Sequence, residues 1–258
     1  MARRLVDLTV TLENDLPTDP PGMIPHITYK LHADTAAETA QLYPGFDPKD
    51  FPDGVFAAAE TVTLTTHNGT HLDAPWHMHP TMDGGKPSLT IDEVPLDWCY
   101  QRGVKLDFRH FPDGYKVMAA DVEAELARIG HTLRPLDIVV VNTRAGEAYG
   151  QSDYLMAGCG MGAEATLYLT SRGIRVTGID AWSWDPPLKY VAEEYARTGD
   201  PSIVWEGHKT TRQIGFCHLE KLSNLHTIPS TGFDIICFPA KIKRASAGWT
   251  RCVAVFEE

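Results

Sequence analysis

His67-Asn68-Gly69-Thr70-His71-Leu72-Asp73-Ala74-Pro75-Trp76-His77 places three histidines and one aspartate within eleven positions. No other stretch of the chain concentrates metal-capable side chains to this degree. His67, His71 and Asp73 supply two imidazoles and a carboxylate, a donor set suited to zinc, manganese or ferrous iron. Gly69 and Pro75 argue that the segment is a shaped loop rather than a helix carrying histidines at i and i+4. The preceding stretch, 57–65, holds Val62 and Leu64 flanked by threonines and reads as the strand that delivers the loop. The expectation is a metal centre at the end of a strand. His77, beyond Pro75, is placed to face the ion as an acid–base group, and His79 reads as an outer or solvent residue.

Outward from this loop, residues 5–11 alternate weakly and read as a first strand. Residues 15–56 are rich in Pro, Asp and Gly and form an irregular arm with a short helix near 35–42. An arm of that length is either a lid or partner-binding element, or a solvated insertion. Residues 104–108 read as a strand, and 119–129 as a helix with Asp121 as N-cap and Gly130 as its stop. The Val-rich run 137–142 suits a strand buried on both faces. A helix over 161–172 closed by Gly173 precedes a strand over 176–180. Residues 203–207 read as a turn or helix entry before His208, and Gly215 as a helix C-cap before 219–222. Terminal strands fall at 233–238 and 251–256. This alternation, with short Gly or Pro joints and no internal repeat, predicts a single α/β domain over 1–258 with a mixed sheet.

With 258 residues and 43% hydrophobic content, the chain can bury a sizeable core. A net charge of −11 without a basic stripe argues against a nucleic-acid partner. The five cysteines are dispersed with no CxxC pair, which argues against a disulfide framework and a zinc ribbon. The first residues lack the apolar run of an ordinary signal peptide, and no apolar stretch is long enough to span a membrane. The expectation is a soluble cytoplasmic protein. Gly-x-Ser-x-Gly is absent, which removes the commonest serine-hydrolase signature. Cys159, between Gly158 and Gly160, reads as an exposed alternative nucleophile for which no basic partner is identifiable. Trp76, Trp182 and Trp184 are candidates to stack on a planar substrate ring, or else ordinary core aromatics.

The 67–77 segment resembles the HxGTHxDAPxH signature of the cyclase-like metal-dependent hydrolases, which include bacterial kynurenine formamidases and isatin hydrolases. Leu5-Val6-Asp7-Leu8-Thr9, Glu220-Lys221-Leu222-Ser223-Asn224-Leu225 and Phe238-Pro239-Ala240-Lys241-Ile242 are similar to the family's opening and closing segments. The resemblance implies a swivelling β/β/α arrangement, a mixed sheet or partial barrel with flanking helices. It implies a first metal site of His67, His71 and Asp73, with Asp73 able to bridge to a second ion. His208 and Glu220 match the family's remaining ligands, a His and a Glu twelve residues apart. His218 is a competing ligand, and His77 matches the catalytic histidine. One or two zinc or manganese ions, a small-molecule substrate and a homodimer or homotetramer are implied, with the 15–56 arm placed to cover a neighbouring subunit's site.

The chemistry implied is hydrolysis of an aromatic or cyclic amide by metal-bound hydroxide, with His77 as general acid and base. A lyase or cyclase that incorporates no water, a lactone hydrolase on the same site and a metal-binding protein without catalysis are the alternatives. The Asp185-Pro186-Pro187 turn and residues 190–197, helix-like, look like an insertion relative to compact family members and point to a remodelled pocket.

Overall fold

Short strands, the inner ones buried on both faces, build one large sheet, described over residues 2–257 in a computed structural model. Its strands in chain order are β1 (Arg3–Asp7), β2 (His71–Asp73), β3 (Tyr100–Asp107), β4 (Ile138–Asn142), β5 (Val176–Ile179), β6 (Cys217–Glu220), β7 (Phe233–Ile236), β8 (Ala247–Trp249) and β9 (Val253–Glu257). They lie in the order β1-β9-β7-β3-β4-β5-β6-β2-β8, a curled mixed sheet. The central four, β3 to β6, run parallel, and every other pairing is antiparallel.

The Val-rich β4 shows how the sheet is held. Ile138 and Val140 enter one apolar cluster with Leu72, Leu219, Leu225 and Ile235. Val139 and Val141 enter the other, with Val122, Leu126 and Leu169 from the helices Ala119–Arg128 and Ala163–Thr170. All of these side chains are buried, and burial of each contributes roughly 1.5–3 kcal/mol. The expectation of a strand covered on both faces is met.

Other expectations shift. Residues 59–63 do form a strand, but its residues are exposed and it pairs with His26–Lys30 in a separate hairpin. The strand that carries the site is instead His71–Asp73, next to the edge strand β8, so the 67–77 segment is a turn, a strand and a short helix (Pro75–Met78) rather than one loop. The arm contains the helix His32–Ala40, three residues earlier than expected at its start, and two short turns. Asp121 is not the N-cap: Met118 holds that position, and its N–H donates to Asp121 Oδ2 from the first turn at 2.8 Å. Gly215 caps no helix; its N–H donates to Asp83 Oδ1 at 2.9 Å. The segment 190–197 lies within the helix Leu188–Thr198. Gly130 and Gly173 do adopt positive φ after their helices. Among the described residues no helix is long and apolar enough to cross a membrane.

Candidate active site

Strand pairing assembles the site. β2 lies between β6 and β8, with His71 opposite Glu220 and Asp73 opposite His218 on the β6 side. Side chains alternate across a sheet, so two His-Leu-acid triplets, 71–73 and 218–220, place four polar groups on one face. Leu72 and Leu219 point the other way and anchor both strands in the core. All four polar residues are buried. The turn entering β2 needs Gly69, whose φ is +60° and whose missing Cβ would lie 2.6 Å from the Leu12 side chain.

Two histidines are oriented by their outer nitrogens. His71 Nδ1 faces the Gly69 carbonyl at 2.9 Å, so that nitrogen carries the proton. Its Nε2 is buried with no hydrogen-bond partner, 3.3 Å from Asp73 Oδ1 and 3.5 Å from Glu220 Oε2. His208 Nδ1 is bound to Asp185, which also accepts the N–H groups of Gly207 at 2.8 Å and His208 at 3.1 Å. That leaves His208 Nε2 3.8 Å from Glu220 Oε1. A carboxylate or carbonyl behind a histidine fixes the tautomer that a metal ligand needs. His218 Nε2 lies 2.9 Å from Asp73 Oδ2 and 3.2 Å from Glu220 Oε1.

Donor atoms of Asp73, His208, His218 and Glu220 all lie within 4.8 Å of one another, and so do those of His67, Asp73 and His77. Asp73 belongs to both sets. His67 places Nδ1 2.9 Å from Asp73 Oδ1 and Nε2 3.0 Å from Ser246 Oγ. Two buried carboxylates facing His71 Nε2 call for positive charge at that nitrogen, which either a proton or a divalent ion supplies, so the donors present fit such an ion. The titration behaviour agrees. Burial opposes a proton on His71, but Asp73 and Glu220 outweigh it and push its pKa up to about 10. His218, buried and beside His208 and His77, is pushed down to about 4 despite Asp73 and Glu220. Burial raises the Asp73 carboxyl, yet the surrounding imidazoles hold it well below the usual range.

The cluster opens onto a cavity of about 200 Å³ lined by Asp19, Pro20, Met23, His67, His77, Trp182, Ser183, Trp205, His208 and Glu220. A larger cavity of about 720 Å³ between Thr81, Gly84, Lys209 and Gln213 contains none of the clustered ligands. Of the tryptophans expected to stack on a substrate, only Trp182 lines the site. Trp184 is wholly buried with its indole N–H on Thr166 Oγ1 at 2.9 Å, and Trp76 is exposed outside the cavity. Trp205 takes the second wall. Its ring stacks on His208 at 4.6 Å and 10°, and its backbone is left-handed, with φ +55°, an uncommon state for so bulky a residue. Cys159 is buried rather than exposed, and burial raises its thiol pKa, so it is no nucleophile. His79 lies outside the cluster, bound to Thr81.

His218, by sequence a rival ligand to Glu220, lies with it in one cluster. The repeated His-Leu-acid triplet was the available signal. Asp185, assigned above to an insertion, instead supports His208. Trp205, Asp19 and Ser246 carried no signal, because each reaches the site from a distant segment.

The family model described as "Putative cyclase" matches residues 6–186, which leaves His208, His218 and Glu220 outside the matched stretch. A kynurenine formamidase of Erythrobacter litoralis (strain HTCC2594) is 24% identical over 192 residues, covering 74% of each chain. The isatin hydrolase A of Labrenzia aggregata, solved with benzyl benzoate, superposes with a TM-score of 0.74 at 22% identity, covering 99% of this chain and 94% of the other. The Ralstonia solanacearum isatin hydrolase A gives 0.76 at 20% identity, covering 99% and 92%. With residues 6–186, more than half of its length, matched by the family model, the chain belongs to the cyclase family.

Proposed function

We propose that the protein is a metal-dependent hydrolase acting on a non-peptide C–N bond in a small aromatic or cyclic amide. The observation that carries this reading is the unpartnered His71 Nε2, buried against Asp73 and Glu220, the latter lining a cavity that Trp182 and Trp205 also line. His67, His71, Asp73, His208 and Glu220 would hold one or two zinc or manganese ions, with His218 as a further donor. When bound, such an ion polarises a carbonyl and makes water acidic enough to act as a nucleophile near neutral pH.

His77 supports the proton traffic. Its Nε2 lies 3.8 Å from Asp73 Oδ2, and its side chain keeps 22% exposure towards the cavity. Burial, with His67 and His208 nearby, lowers its pKa against the pull of Asp73, so the imidazole is neutral at neutral pH. It accepts a proton from the attacking water and returns it to the leaving nitrogen as the C–N bond breaks. Trp182 and Trp205 flank the space a planar ring occupies, and about 200 Å³ admits a molecule of one or two rings.

Homo-oligomerisation, as dimer or tetramer, is part of this reading, with the arm beyond residues 19–23, which wall the chain's own cavity, covering a neighbouring site. The exposure of Leu31, Leu42, Tyr43 and Val62 on and beside the arm supports it. Five buried, unpaired cysteines fit a reducing, cytoplasmic setting. The test is elemental analysis of protein purified without added metal, followed by a panel of amides, lactams and lactones in oxygen-18 water. Bound zinc or manganese with labelled carboxylate product is expected from an amide. Product without label would turn the assignment to a lyase or cyclase.

A further inference from the structure

Beneath the cavity lies a buried ion pair that the proposed proton transfers do not use. Lys221 directly follows Glu220 and is 1% exposed. Continued alternation along β6 would aim its side chain at the apolar cluster beneath Leu219. Instead its backbone turns left-handed, with φ +56°. The turn is held at both ends: the Lys221 N–H donates to the Ala181 carbonyl at 3.0 Å, and its own carbonyl accepts from Thr70 Oγ1 at 2.6 Å. The ammonium therefore reaches the His67 carbonyl at 2.8 Å and the Asp19 carboxylate.

Asp19 gathers four segments. Its Oδ1 is shared by Lys221 and the Trp182 indole N–H at 3.2 Å, and its Oδ2 accepts from Asn68 Nδ2 at 2.9 Å. Asn68 Nδ2 also donates to the Met23 carbonyl at 2.7 Å. Asp19, Pro20, Met23 and Trp182 form a continuous wall of the cavity. Desolvating two charges is costly and adds little net stability compared with apolar residues of the same volume. What the pair does supply is a fixed position for the indole and for residues 19–23.

We propose that Asp19, held by Lys221, is a positioning residue that fixes Trp182 and the 19–23 segment over the cavity and so sets affinity for the ring of an aromatic amide. The inference rests on the hydrolase reading for its substrate class. The ionic latch holds the stacking surface still before the substrate arrives, so its loss weakens binding more than bond cleavage.

The experiment uses the full-length, metal-loaded protein and formanilide as probe. Asp19→Ala is expected to raise KM about tenfold while kcat stays within about threefold and metal content is unchanged. In a Trp182→Phe background the same substitution is expected to add less than about twofold, because Asp19 then has no indole to hold. The neutral pair Asp19→Asn with Lys221→Met, which leaves no unpaired charge and keeps an acceptor for the indole, is expected to recover most of the lost affinity. A fall in kcat at constant KM, or full additivity with Trp182→Phe, overturns the proposal. A separate readout needs no turnover: acrylamide quenching of Trp182, isolated by difference against Trp182→Phe, is expected to rise in Asp19→Ala, and unchanged quenching also overturns it. Absence of turnover across the whole amide panel in the unsubstituted protein counts against the hydrolase reading alone, and quenching then decides the latch.

Discussion

At His71 the Gly69 carbonyl accepts a hydrogen bond from Nδ1–H, and the opposite nitrogen is left buried against Asp73 and Glu220. His77 has no such confinement: it keeps an exposed edge at the cavity and packs 4.2 Å, ring to ring, from His67. The two substitutions therefore separate. His71→Ala is expected to lose both metal and turnover, and stoichiometric metal retained by that variant would sink the site assignment. His77→Ala is expected to keep its metal while kcat falls by roughly 10²–10⁴, the usual share of general acid–base catalysis. Turnover unchanged from the parent removes the acid–base role. Both measurements are elemental analysis paired with steady-state kinetics.

Among the elements, the ends of β4 and β5 are tied by a buried carboxylate. Asp180, one residue past β5, accepts from Asn142 Nδ2 at 2.7 Å and from Thr143 N and Oγ1 at 2.9 and 2.7 Å. Burial outweighs these donors and raises its pKa from 3.8 to about 7. A folded value above the unfolded one means the fold favours the protonated acid. Its stabilising contribution is complete below the unfolded pKa of 3.8 and is lost as pH rises through about 7. Asp180→Asn lacks this titration. The unfolding free energy of the parent minus that of the variant is thus expected to fall by something of order 4 kcal/mol between about pH 4 and pH 8. Denaturant melts across that range check it, and a pH-independent difference contradicts the raised pKa.

For the whole molecule, the arm and the sheet have different surfaces. β4 and β5 are buried throughout, whereas the hairpin His26–Lys30 with 59–63 and the helix between them leave Tyr29, Leu31, Leu42, Tyr43 and Val62 exposed. These exposed apolar side chains are where the proposed oligomer would bury surface. Light scattering behind size-exclusion chromatography is expected to give a dimer or tetramer, and Leu31→Glu with Leu42→Glu to shift it towards monomer. A monomeric parent at every concentration tested removes the oligomer from the reading.

Sequence by itself determined the crowded donor stretch and several strands of the main sheet. His67, His71, Asp73 and His77 were legible because their donors crowd one short stretch, and the Val-rich β4 because period and composition are local properties. Glu220 and His208 were legible only through the family resemblance. Tertiary structure decided the rest. Strand order placed 71–73 as a paired strand between β6 and β8 rather than as a loop at a strand end, and antiparallel register across 145 residues of chain set His218 beside Asp73. Trp184 and Trp182 are two residues apart, yet one is sealed in the core and the other lines the cavity. The physical reason is the same in each case. A donor type is a property of one residue, but a ligand set, a cavity wall or a buried ion pair such as Asp19–Lys221 exists only where long-range pairing closes the chain upon itself.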